Sequence, residues 1–169
     1  MSNVKFMNPF VEAASEVLQA EIQATVKRGT LSLQKSALTS NDITVLITLV
    51  GQVQGVVLYS MAMETGLGFV SRITEQQFTE FDNLAQSGVA EMGNVITGRA
   101  TVKLSEAGFN SMISPPTLIQ GQGITISTLD FSRILVPLIT DFGDITVHLA
   151  LRESPPGLQN QNFVPITVP

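Results

Sequence analysis

The first strong alternation of apolar and polar positions opens at Asn8-Pro9, a capping residue followed by a first-turn proline. Phe10, Ala13, Ala14, Val17, Leu18 and Ile22 then recur at helical spacing, which predicts a helix from about Pro9 to Val26, stopped by Gly29. A polar stretch to Asn41 leads into Ile43 to Val50, whose β-branched apolar run predicts a strand. Gly55 to Met61 is its partner, so the pair forms a hairpin turning over Gly51 to Gln54. A short helix follows over Glu64 to Ile73, and a long one over Gln77 to Glu106, ended by Gly108.

Beyond Pro115-Pro116 the pattern returns to strands, at Thr117 to Gln120, Gly123 to Thr128, Ile134 to Ile139 and Ile145 to Leu151. Asp141-Phe142-Gly143-Asp144 is the hairpin turn between the last two. Each half thus reads as a helix followed by strands. A shift of about 75 positions aligns Phe6 with Phe81, Asn8 with Asn83, Glu16 with Glu91 and Gln19 with Asn94. Helices of similar amphipathicity also align easily, so the residues leave true duplication and chance similarity both open. The expected fold is α/β, an antiparallel sheet packed by two long helices in pseudo-duplicated helix-plus-hairpin units. Residues 1–153 form the expected domain, and Ser154-Pro155-Pro156-Gly157 opens an expected loose tail to residue 169.

Composition narrows the chemistry. A chain of 169 residues with 44% hydrophobic side chains fills one core. The net charge of −5 and pI near 4.7 argue against a nucleic-acid partner. With 14% charged residues and a mean hydropathy of +0.29, much of the surface is uncharged, which points to an oligomer or a partner-binding face. The absence of cysteine removes disulfides, thiolate nucleophiles and iron–sulfur ligation. The first twenty residues carry Glu12 and Glu16 and no cationic head, unlike a secretory signal, and Gly51, Gln52, Gln54 and Gly55 interrupt the most apolar region. A cytoplasmic chain with no membrane span is expected.

Several tempting motifs dissolve on inspection. His148 is the single histidine and stands in a predicted strand, where a structural role outweighs a catalytic one. Asp141-Phe142-Gly143 copies a kinase tripeptide without the rest of the kinase set. Neither phosphate-cradling glycine loop is present. Asp130, Asp141 and Asp144 lack calcium-loop spacing and read as turn carboxylates.

The long helix keeps its interest. With Phe81 set at zero and ~100° per residue, Leu84, Ala85, Gly88, Met92, Val95 and Ile96 fall into one apolar stripe. Ser87 near ~240°, Glu91 near ~280° and Asn94 near ~220° form a polar ridge beside it. Gly88 and Gly93 permit close approach of another backbone. Such spacing also occurs on ordinary solvated helix faces, so geometry alone leaves both readings open. If functional, a carboxamide that positions water and a carboxylate that pairs with a cation suit chemistry in which a partner brings the electrophile and the metal.

The run Asp82-Asn83-Leu84-Ala85-Gln86-Ser87-Gly88-Val89-Ala90-Glu91-Met92-Gly93-Asn94-Val95-Ile96-Thr97-Gly98 resembles the signature of the CheC/CheX/FliY chemotaxis phosphatases, and among them the CheX-like branch. Gly55 to Ser60 with Glu64-Thr65, Ser114-Pro115-Pro116-Thr117 and Val147-His148-Leu149 resemble that branch in order and spacing. The resemblance implies a phosphatase that hydrolyses the aspartyl phosphate of a CheY-like response regulator. It implies that Asn94 orients the attacking water, that Glu91 engages the regulator's lysine, and that Ser87 supports the contact. It also implies that the regulator supplies Mg²⁺, that this chain binds no cofactor, and that two copies join through their sheets. CheC-like members are similar to a two-motif arrangement. Here Glu16 and Gln19 hold the corresponding places, with Gln19 departing from Asn, and a structural role is expected for that helix. The alternative is a noncatalytic module of the same fold that docks on a regulator or a motor-switch protein.

Overall fold

The computed structural model describes residues 4–34, 37–129 and 131–155. A 3₁₀ turn at Val4–Phe6 runs into α1 (Met7–Ile22), so Asn8 and Pro9 lie inside the first turn and Asn8 does not cap it. The helix ends at Gln23, which adopts a left-handed conformation and donates its N–H to the Gln19 carbonyl. This stop precedes Gly29 because the next residues belong to a sheet. β1 (Val26–Arg28) and β2 (Ser32–Gln34) pair with a strand about a hundred positions away, so local polarity carries no hint of them.

After β3 (Ala37–Thr39) come β4 (Ile43–Gly51) and β5 (Val53–Met61), the expected hairpin with a tighter turn. Both strands run further because their ends pair elsewhere, Gly51 with Ser111 and Val53 with Glu153. α2 (Met63–Thr74) precedes α3 (Asn83–Glu106). Asp82 starts α3 by accepting the Ala85 N–H at 2.9 Å, a cap of about 1 kcal/mol. Residues 77–81 therefore stay outside the helix. β6 (Ser111–Ile113), β7 (Thr117–Gln120), β8 (Thr125–Ser127), β9 (Arg133–Thr140) and β10 (Gly143–Glu153) complete the described chain.

The main sheet is antiparallel in the order β1-β9-β10-β5-β4-β6, with β2 also on β9 and β7 also on β4. Two hairpins meet at their inner strands, Val147 opposite Tyr59. In the first half, α1 is followed by two short strands that pair with the second half's β9. In the second, α3 is followed by two short strands that pair with the first half's β4. β3 and β8 pair with each other. The architecture is thus duplicated, and the constant shift fails as an alignment: the helices start at Met7 and Asn83, the outer hairpin strands at Ile43 and Arg133.

The core lies between the helices and one sheet face. Ile43, Val45 and Ile47 of β4, Tyr59 of β5, Val136 of β9 and Val147 of β10 pack there against Phe10, Leu18, Phe69, Val89 and Ile96. The opposite face buries Leu58, Ala150, Thr44 and His148. Ser154, read as the first tail residue, is buried, donating its N–H to Gln52 O and its hydroxyl to Gly51 O. The expected tail beyond Pro155 lies outside the described residues.

Candidate active site

α3 buries Ala85, Val89, Met92, Gly93, Ile96, Thr97, Ala100 and Leu104. Ala85, Met92 and Ile96 are buried as the sequence leads one to expect, but the stripe as a whole is rotated away from Leu84 and Val95. Leu84 (58% exposed), Val95 (38%) and Val102 (58%) point to solvent, and Phe81 precedes the helix. The observed stripe mixes Val89, Met92, Ile96 and Leu104 with small residues, Ala85, Gly93, Thr97 and Ala100, where the helix lies close to its neighbours. A Cβ on Gly93 would stand 2.9 Å from Val45 Cγ1 and 3.3 Å from Tyr59 Cδ2, and one on Gly88 would stand 2.7 Å from Val70 Cγ1. The close approach is therefore to side chains, not to another backbone.

Rotating the stripe moves the polar ridge with it. Ser87, Glu91 and Asn94 do not border the core but stand on the far side of the helix, in the middle of the solvent face. Ser87 and Glu91 are exposed and Asn94 half-buried, and none of the three side chains is engaged in a hydrogen bond or ion pair with another described residue. Glu91 and Asn94 are separated by about 4.5 Å along the axis. One turn beyond Gly93, Thr97 fixes the helix from below. Its hydroxyl sits 2.7 Å from the Tyr59 hydroxyl and 2.7 Å from the Gly93 carbonyl, which it donates to, inside the core. Burial pushes the Tyr59 phenol well above its ordinary range, so it stays protonated and holds this bond. A carboxylate and a carboxamide without a partner among the described residues are thus displayed on a scaffold locked from beneath.

Exposed apolar side chains frame them. Leu84 precedes the pair, Val95 adjoins it, and Val102 follows two turns after Asn94. A solvent face carrying three large apolar residues beside polar ones that no described residue engages fits a surface that another protein covers.

The corresponding residues on α1 behave differently. Glu16 accepts from Arg99 Nη1 and from Lys103 Nζ, both at 2.8 Å, and Lys103 also lies 3.5 Å from Glu12. The Lys103 bond, then the Arg99 bond, holds the Glu16 carboxyl below its usual range, and Glu16 in turn raises Lys103. Gln19 is exposed. The carboxylate of the first half serves as a brace between α1 and α3, consistent with the structural role expected for that helix.

The other candidates resolve similarly. His148 is buried, and burial first, then the Arg133 charge, pushes its imidazole down to about 4. Its Nδ1 meets no hydrogen-bond partner among the described residues. Asp141 pairs with Arg72 at 2.7 Å and accepts the Thr25 N–H, bonds that lower its carboxyl, as a turn carboxylate does. Asp130 lies outside the described residues, and among the described residues no three acidic or histidine side chains gather in a metal-binding arrangement.

The chemotaxis phosphatase CheX family profile matches residues 43–138, more than half of the chain. The chain belongs to the CheX family. A CheY-P phosphatase CheX from Thermotoga maritima is 26% identical over 153 residues, covering 89% of this chain and 97% of that protein. A CheC-like superfamily protein from Shewanella sp. PV-4 superposes with a TM-score of 0.80 at 26% identity, covering 89% of this chain and 99% of the other. CheX from Borrelia burgdorferi, solved in a CheX–CheY–BeF3–Mg²⁺ complex, gives a TM-score of 0.73 at 30% identity over 88% and 98% of the two chains. All of α3, with Glu91 and Asn94, and both strands of the first hairpin lie within the CheX-matched region. No described helix is long and apolar enough to cross a membrane.

Proposed function

We propose that this CheX-family chain hydrolyses the aspartyl phosphate of a CheY-like response regulator. Asn94 orients the attacking water: its amide oxygen accepts one water hydrogen and aims the lone pair at phosphorus, in line with the leaving carboxylate. Glu91 pairs with the regulator's active-site lysine and so fixes the register, while Ser87 adds a contact one turn earlier. The water oxygen bonds to phosphorus as the bond from phosphorus to the aspartyl oxygen breaks. The aspartate leaves as carboxylate, and inorganic phosphate and a proton are released. The regulator brings its own Mg²⁺, which neutralises charge on the phosphoryl oxygens, and this chain contributes positioning.

The observation that carries this reading is the display of Glu91 and Asn94, unengaged by described neighbours, on the solvent face of a helix pinned to the core by Thr97 and Tyr59. The relative's name, CheY-P phosphatase, and the CheY complex of the Borrelia protein point to the same partner. The test mixes the chain with a phosphorylated CheY-like regulator and Mg²⁺ and follows loss of the phosphoryl group. Faster loss with the wild type supports hydrolysis. Binding without faster loss, across the regulators of the same genome, supports the docking module instead.

The same reading places the chain in the cytoplasm as a homodimer joined at sheet edges. The outer edges of β6 and β2 carry exposed Met112 and Leu33, which suit an apolar contact between copies. Light scattering reads the state directly, twice the 18.1 kDa chain mass being expected.

A further inference from the structure

α3 carries three glycines in its body, and the fold accounts for only two. Gly88 and Gly93 stand where a Cβ would collide with Val70 and with Val45, whereas a Cβ on Gly98 would meet nothing within 4 Å among the described residues. Gly98 is helical and half-buried, so neither backbone conformation nor packing requires glycine there. A mid-helix glycine weakens the helix relative to alanine. No described neighbour accounts for glycine at this place.

Its place points to a reason. Gly98 follows Asn94 by one turn and Glu91 by two, so the three are stacked along the solvent face. Helical side chains lean toward the N-terminus and cover the turn before their own Cα. Any side chain at 98 would lean back over the Asn94 carboxamide. Val95 and Val102 flank the gap, and Gly98 also borders an open depression of about 370 Å³ shared with Glu16, Arg99, Val102 and Lys103.

We infer that Gly98 is a positioning residue whose missing side chain lets the phosphate-bearing face of the response regulator approach Asn94. The inference rests on the proposed phosphatase reading. It also makes a separate steric claim, that the regulator covers α3 at least one turn beyond Asn94.

Gly98→Ala and Gly98→Gln test it, since both replace glycine by better helix formers. Each is measured for Tm, for affinity toward a regulator activated with beryllofluoride and Mg²⁺, and for phosphoryl loss. A Tm equal to or above the wild type, with affinity or turnover reduced by about 10-fold or more for Gln and less for Ala, is the expected result. Full affinity and turnover in a folded Gly98→Gln variant overturns the inference. A wild type that binds without hydrolysing removes the phosphatase reading, and the affinity comparison then decides the role of Gly98. A wild type that binds no activated regulator overturns both.

Discussion

α1 and α3 are counterparts in a duplicated architecture, each opening a half and each lying over the sheet, yet their surface carboxylates have opposite fates. Glu16 is held by Arg99 and Lys103, whereas Glu91 faces solvent with no described partner. Both cations come from α3, so the second helix supplies the charges that bridge it to the first. A carboxylate whose charge is already paired with two cations attracts a partner's lysine less strongly than a free one. The asymmetry separates a braced carboxylate from one left open to a partner more sharply than residue type does, because Glu occupies both places and only its neighbours differ.

The most drastic way to break the comparison is to remove the helix that carries it. Met92→Asp puts a charge into the stripe between α3 and the sheet, where Met92 is 2% exposed, and the protein is expected to unfold, with loss of the cooperative melt. Next in size, Glu91→Ala keeps the fold and weakens regulator engagement by about 2–5 kcal/mol, the scale for truncating one partner of a charge pair buried in an interface. Titration with activated regulator reads it, and an unchanged affinity would show that Glu91 lies outside the contact.

A smaller effect comes from the sheet's other face. The folded-state value for His148, about 4, lies below its unfolded value near 6.5, so the unfolded chain takes up the proton first. Stability from this group is complete above pH 6.5 and declines as pH falls from 6.5 toward 4. His148→Gln should flatten the dependence of Tm on pH across that window while leaving phosphoryl hydrolysis at pH 7.5 unchanged. The smallest effect belongs to Glu16→Ala, which breaks exposed ion pairs and is expected to move Tm little, with turnover kept. A loss of turnover there would mean that the brace sets the position of α3.

How much of this was legible depended on where the information lay. The two hairpins announced themselves because β-branched runs such as Ile43 to Val50 carry their own signal. β1, β2 and β6 did not, since Val26-Lys27-Arg28 and Ser32-Leu33-Gln34 become strands only by pairing with β9, and Ser111 to Ile113 only by pairing with β4. Glu91 and Asn94 were visible as a spaced pair, but their direction was misjudged. Leu84 and Val95 outweighed Gly93, Thr97 and Ala100 as apolar markers, although close packing buries the small residues and leaves the large ones outside. Leu84 and Val95 are among the exposed apolar residues that suit this face to a partner. The brace on Glu16 was invisible, because Arg99 and Lys103 lie more than eighty positions away.

The central claim is that only one of the two corresponding positions, Asn94 and not Gln19, performs the chemistry. Phosphoryl loss from a CheY-like regulator, measured side by side with the wild type, Asn94→Ala and Gln19→Ala at matched Tm, tests it most directly. The account predicts a drop of about 100-fold or more for Asn94→Ala, the scale for removing one preorganised group, and wild-type turnover for Gln19→Ala. Retained turnover in Asn94→Ala, or its loss in Gln19→Ala, would contradict it.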